Sequence, residues 1–124
     1  MTESFKNWVD SFEWSSDSRS IFFTGPVEGQ NPIYRLDLES KSITQLLADK
    51  AIDEFEFTRD GRRMVYARRS TGDPVEIYSV EFNNNRASTP RKLTTVNAAV
   101  ADEVDIRPAE TMWVEGAGGS KVQV

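Results

Sequence analysis

Apolar and polar residues alternate along this chain in short runs, with the period of a strand and not of a helix. Ile33-Tyr34-Arg35-Leu36-Asp37-Leu38 shows it most clearly, every second side chain falling on one face. Runs of this kind, rich in β-branched and aromatic residues and separated by polar turns, predict strands at roughly 11–14, 20–25, 32–38 and 43–47. A second set follows at 53–58, 62–69, 75–82 and 90–95. Asn31-Pro32 and Asp73-Pro74 open the third strand of each set, where proline removes no ladder hydrogen bond. Asn83-Asn84-Asn85-Arg86 reads as a solvent turn. The only helical stretch the pattern allows is the short acidic segment at 98–105.

The two sets are copies of one unit. Phe12-Glu13-Trp14-Ser15-Ser16-Asp17-Ser18-Arg19 aligns with Phe55-Glu56-Phe57-Thr58-Arg59-Asp60-Gly61-Arg62 at an offset of 43. Ile21-Phe22-Phe23-Thr24 then matches Met64-Val65-Tyr66-Ala67. After a one-residue insertion, Pro32-Ile33-Tyr34-Arg35-Leu36 meets Glu76-Ile77-Tyr78-Ser79-Val80, and Ile43-Thr44-Gln45-Leu46 meets Pro90-Arg91-Lys92-Leu93. Insertions fall only in turns, as they must if strands are fixed by packing and loops are not. Four antiparallel strands recurring about every 43 residues is the spacing of a β-propeller blade. The expected fold is therefore all-β: two four-stranded blades of an incomplete propeller and a C-terminal linker with a hairpin. The divisions expected are 1–10 as lead-in from a preceding blade, 11–50 and 51–96 as blades, and 97–124 as linker and hairpin. Asp17 and Asp60, at the same repeat position, are expected to staple the turn between the first two strands instead of serving as metal ligands or acid–base groups.

Composition narrows the chemistry. The 124 residues contain no cysteine and no histidine, which removes disulfides, thiol nucleophiles and the usual catalytic base. The net charge of −5 hides a basic segment: residues 57–95 carry +4 and the remainder −9. Arg62 and Arg68 alternate with Met64 and Tyr66 on one strand face, and Arg63 and Arg69 flank Val65 and Ala67 on the other. Arginines so placed read as solvated strand tips, and with a pI near 4.8 no nucleic-acid partner is expected. No apolar run reaches the roughly 18 residues of a membrane span, and no apolar stretch follows Met1 as in a signal peptide. The compartment, periplasm or cytoplasm, stays open.

Trp14-Ser15-Ser16-Asp17-Ser18-Arg19, followed by Ile21-Phe22-Phe23, Ile33-Tyr34-Arg35-Leu36-Asp37 and Ile43-Thr44-Gln45-Leu46, resembles the blade of TolB-like propellers and of the prolyl oligopeptidase family. Ser16 stands where those blades commonly carry proline, and Phe57 stands for tryptophan in the second copy. The tail, from Lys92-Leu93-Thr94-Thr95-Val96-Asn97 to Met112-Trp113-Val114-Glu115-Gly116 and on to Val124, is similar to the passage from the last blade into the hydrolase domain. The likeness is to the dipeptidyl-peptidase and acylaminoacyl-peptidase members, although Gly118 replaces a frequent aspartate. The resemblance implies a serine peptidase of short peptides whose propeller gates an α/β-hydrolase site lying outside these residues. Gly116-Ala117-Gly118-Gly119-Ser120 is neither a nucleophile elbow nor a phosphate loop.

No catalytic, cofactor-binding or metal-binding residue is therefore expected, and no cofactor. Asp49, Asp53, Glu54 and Glu56 are scattered around a strand start, and Asp102, Glu103 and Asp105 read as a solvated linker. Trp8, Trp14, Phe22, Phe55, Phe57 and Tyr66 are expected in the blade core. The expected partners are the missing blades and the hydrolase domain in cis, peptide substrate through the parent enzyme, and self-association of the isolated chain through uncovered faces. The alternative is a TolB-like propeller fragment that binds a protein without catalysing anything. A free-standing β-sandwich fits the composition and leaves the repeat unexplained.

Overall fold

The computed structural model describes residues 5–124. The first four strands, β1 (Phe12–Trp14), β2 (Ser20–Thr24), β3 (Ile33–Asp37) and β4 (Ile43–Leu47), form one antiparallel sheet in sequence order. Its register pairs Phe23 with Phe12 and Tyr34, and Leu36 with Ile21 and Ile43. A second sheet follows, built on β5 (Ala51–Phe57), β6 (Arg63–Ser70) and β7 (Asp73–Asn83). The register here pairs Tyr66 with Phe55 and Tyr78, and Met64 with Phe57 and Val80.

The far edge of the second sheet departs from the expected fourth strand at 90–95. Two short pieces, β8 (Arg86–Ala87) and β9 (Arg91–Lys92), pair in turn with the long β7. The cause is local. Asn84 and Asn85 make a tight hairpin with φ of 48° and 63°, which returns the chain immediately onto β7. Pro90, without an N–H, interrupts the ladder before Arg91 resumes it.

The repeat is reproduced atom for atom at the turns. Asp17 accepts from the Ser15 hydroxyl (2.7 Å) and the Arg19 N–H (3.0 Å); Asp60 accepts from the Thr58 hydroxyl (2.7 Å) and the Arg62 N–H (3.1 Å). The hydroxyls of Ser15 and Thr58 each also bridge to the start of the next strand, at Ser20 and Arg63. Ser18 and Gly61 hold the positive φ that closes the turn. The two aspartates are the turn staples that the repeat predicts.

The sheets stack face to face. Phe22, Ile33 and Leu46 of the first pack against Ile52, Met64, Tyr66, Tyr78 and Val80 of the second, with the Phe22 and Phe57 rings stacked 3.8 Å apart. A parallel bridge joins Asn31 to Ala51: the Asn31 N–H donates to Lys50 O (3.0 Å), and its side-chain amide donates to Ile52 O (2.8 Å). The opposite face of the first sheet carries Phe23, Tyr34 and Leu36 and is capped by Phe5, whose ring sits edge-on to Phe23 and Tyr34. Gly25 permits that cap, because a Cβ there would lie 2.6 Å from the Phe5 ring.

Of the six aromatics expected in the core, Phe22 and Tyr66 are buried and Phe55 and Phe57 half-buried. Trp8 and Trp14 are exposed, which corrects that expectation: among the described residues no sheet packs over β1 as the first sheet packs over β5.

After the second sheet, Glu76 anchors the chain by accepting from the Thr94 hydroxyl and from the N–H groups of Val96 (3.2 Å) and Asn97 (2.8 Å). A short exposed helix, α1 (Ala98–Glu103), falls inside the acidic segment, and Pro108 lies against Gly72. The chain ends in a hairpin of β10 (Trp113–Glu115) and β11 (Lys121–Gln123), turned by Gly118 and Gly119 at φ of 72° and 77°. Among the described residues no helix is long and apolar enough to cross a membrane.

Candidate functional site

At one end of the stacked sheets the turn 58–63, the β7–β8 hairpin and Arg35 of β3 enclose an open groove of about 960 Å³. Its walls carry four guanidinium groups, Arg35, Arg59, Arg62 and Arg63, against two carboxylates, Asp60 and Glu81. Both carboxylates are engaged. Asp60 staples its turn, and the Thr58 hydroxyl with the Arg62 N–H holds its pKa below the usual carboxylate range. Glu81 pairs with Arg63 at 2.5 Å. Arg35 is fixed by the Ser20 hydroxyl (2.9 Å) and by Asn85 across the groove (3.0 Å). The groove is thus open and basic, four guanidinium groups facing two engaged carboxylates.

The opposite end of β6 holds a polar node that the sequence did not reveal. The Tyr66 hydroxyl donates to Asp49 Oδ2 at 2.5 Å, and Arg68 reaches Asp49 at 3.2 Å. Arg68 also donates to the Tyr78 hydroxyl at 2.5 Å and lies over that ring, 3.8 Å from its centroid. Burial, reinforced by the adjoining Asp49 carboxylate, raises the Tyr66 pKa far above the ordinary tyrosine range. Its phenol stays protonated and acts as a permanent donor. Arg68 was expected as a solvated strand tip; it is instead a largely buried brace linking β6 to β7 and to the β4–β5 connection. The signal available in the sequence was Tyr66 and Arg68 at i and i+2 on one face. What it lacked was Asp49, which the β4–β5 connection brings in from outside the repeat pattern.

Around this node, Lys50 pairs with Asp73 and lowers its pKa, and Arg69 pairs with Asp53 at 2.8 Å. Asp102, Glu103 and Asp105 lie exposed on the tail, Asp105 paired with Arg107 at 2.5 Å. Among the described residues no three carboxylates converge as a metal site would require. The serine–carboxylate contacts, Ser15 with Asp17 and Ser40 with Asp37, are turn braces.

No family model matches the chain. Two curated proteins do, both named dipeptidyl-peptidase 5. The one from Porphyromonas endodontalis is 30% identical over 105 residues, covering 85% of this chain and 15% of that protein. The one from Porphyromonas gingivalis is 25% identical over 114 residues, covering 92% of this chain and 16% of its own length. This chain therefore spans about 15% of the curated relatives it matches. Among solved structures, TolB from Acinetobacter baumannii superposes with a TM-score of 0.58 at 20% identity, over 71% of this chain and 21% of that one. The fold is β-propeller-like, and the chain is similar in sequence to a short part of dipeptidyl-peptidases.

Proposed function

We propose that residues 11–50 and 51–96 are consecutive blades at the end of a β-propeller, and that 97–124 lead into the hydrolase domain of a serine peptidase acting on short peptides. In this role the chain supplies wall, domain contact and access control, and the triad lies in another part of the parent protein. The observation that carries the reading is the repeated turn, Ser15–Asp17–Arg19 and Thr58–Asp60–Arg62, followed by a separate C-terminal hairpin. Similarity over nearly the whole chain to about 15% of two dipeptidyl-peptidases supports it. Lacking histidine, the chain has no general base for a triad.

Incubating the purified chain with chromogenic dipeptide substrates should give no turnover above buffer. The reading frame continuing beyond Val124 should encode a serine elbow, and the longer protein should cleave those substrates. Turnover by the chain alone, or flanking sequence without a hydrolase, contradicts the proposal.

A further inference from the structure

The tail and the basic groove lie at opposite ends of the stacked sheets. The Asn97 side chain donates to Val75 O at 2.6 Å, Pro108 lies against Gly72, and the Ala109 N–H donates to the Thr71 hydroxyl at 3.3 Å. Farther on, the Gln123 side chain donates to Glu28 O at 3.2 Å. The tail thus runs along the β6–β7 turn and the β2–β3 loop. The groove is built at the other end, from the β5–β6 turn and the β7–β8 hairpin. In the proposed function the hydrolase follows the tail, so this end of the blades stays open in the parent protein. The charges of the groove are unequally matched. Arg63 has Glu81, and Asp60 is committed to the Thr58 hydroxyl and the Arg62 N–H. Arg35, Arg59 and Arg62 make no ion pair among the described residues. Arg35 is nonetheless fixed, and by neutral acceptors: the hydroxyl of the fully buried Ser20, and Asn85 across the groove. Asp17 and Asp37 feel its charge from beyond ion-pair distance.

We propose that this groove captures short acidic peptides, whose carboxylates pair with Arg35, Arg59 and Arg62. The proposal rests on the peptidase reading, which supplies the ligand class and leaves this end uncovered. A guanidinium presents parallel N–H groups that match a carboxylate, and Glu81 on Arg63 shows that pairing in the groove's own wall. At about 960 Å³ the groove is of the size that takes a small ligand. A long polyanion fits less well, because the chain as a whole carries −5 and repels it beyond the groove. Exposed ion pairs are weak and screened by salt, so capture is loose and fails at high ionic strength. Its effect is to concentrate acidic peptides at the open end of the propeller.

Titrating the isotope-labelled chain with the end-blocked peptide Ala-Glu-Glu-Ala, followed by NMR, tests the site. The Nε–H signals of Arg35, Arg59 and Arg62 should shift saturably. Binding should weaken several-fold as the screening length falls from about 30 Å at 0.01 M salt to about 8 Å at 0.15 M. Combining Arg59→Gln with Arg62→Gln should weaken it about tenfold. Both side chains are exposed, and the turn uses only main-chain groups of these two residues, so the double variant should keep the wild-type far-ultraviolet dichroism. The uncharged peptide Ala-Gln-Gln-Ala should leave the arginine signals unmoved, and inorganic phosphate should bind more weakly than the glutamate peptide. No saturable shift at the three arginines, equal binding of the glutamine peptide or of phosphate, or a double variant that binds like wild type would each overturn the site. These readouts need no hydrolase. Loss of binding would leave the peptidase reading standing, and flanking sequence without a hydrolase would fail that reading with the measured binding intact.

Discussion

In the first sheet Phe22 and Phe23 are sequence neighbours and both are buried, one against the second sheet and one beneath Phe5. In the second sheet their counterparts divide: Tyr66 is buried against the first sheet and Val65 is exposed. The strand sequences record the difference. Ile21-Phe22-Phe23 is a continuous apolar run, as a strand covered on both faces requires, whereas Arg63-Met64-Val65-Tyr66-Ala67-Arg68-Arg69 brings charge onto the outward face. One repeat pattern thus serves two environments, and the neighbour present at each face decides which side chains are core.

The largest expected effect comes from the shared face. Phe22→Ala removes the ring stacked on Phe57 and should cost about 3–5 kcal/mol of stability in urea denaturation. A smaller loss would mean that the sheets stack less intimately than Phe22 and Ile52 indicate. Next is the cap on the far face of the first sheet. Gly25→Ala drives a methyl group into the Phe5 ring and should cost about 1–3 kcal/mol or expel Phe5, seen as a change in the ring-current shifts that Phe5 and Tyr34 impose on each other. Unchanged shifts would show that the first sheet is covered by something other than Phe5.

Acid sharpens the comparison at the second sheet's edge. The Thr94 hydroxyl and the Asn97 and Val96 N–H groups hold the Glu76 pKa below its ordinary value of 4.5. A carboxylate whose folded pKa is depressed stabilises the fold fully above its unfolded value, and that contribution is lost as the pH falls through the folded value. As the pH falls below 4.5 the Asn97 amide should therefore lose protection relative to its intrinsic exchange rate, while amides of the first sheet keep theirs. Glu76→Gln should abolish the pH dependence of Asn97. The smallest effects belong to the paired staples. Asp17→Asn and Asp60→Asn should each lower the thermal midpoint slightly and by similar amounts, because the two turns are bonded alike. A large difference between them would break the equivalence of the units.

The strands, the repeat, the aspartate turns and the C-terminal hairpin were legible because each depends on local chemistry: alternation, a turn residue with positive φ, a carboxylate two residues from its donors. What escaped depends on contacts that the local pattern does not encode. Trp14 looks as core-like as Phe57, yet only Phe57 has a sheet over it. Phe5, which shares a polar lead-in with Trp8, gave no sign that it caps Phe23. Asp49 acquired its role from Tyr66 and Arg68, 17 and 19 residues away. The fourth strand of the second unit was overextended because Pro90 and the asparagine hairpin divide its pairing with β7 in two.

The central claim, that the two sheets are one unit repeated with only the first covered on both faces, is tested most directly by one pair of variants. Ile33 and Ile77 are the same residue at equivalent positions, the first fully buried between the sheets and the second on the outer face. Urea denaturation of Ile33→Ala, at a concentration where the chain is monomeric, should show a loss of about 2–5 kcal/mol, and Ile77→Ala a loss well below that. Equal losses would contradict the account, since they would require the outer face of the second sheet to be as deeply packed as the contact between the sheets.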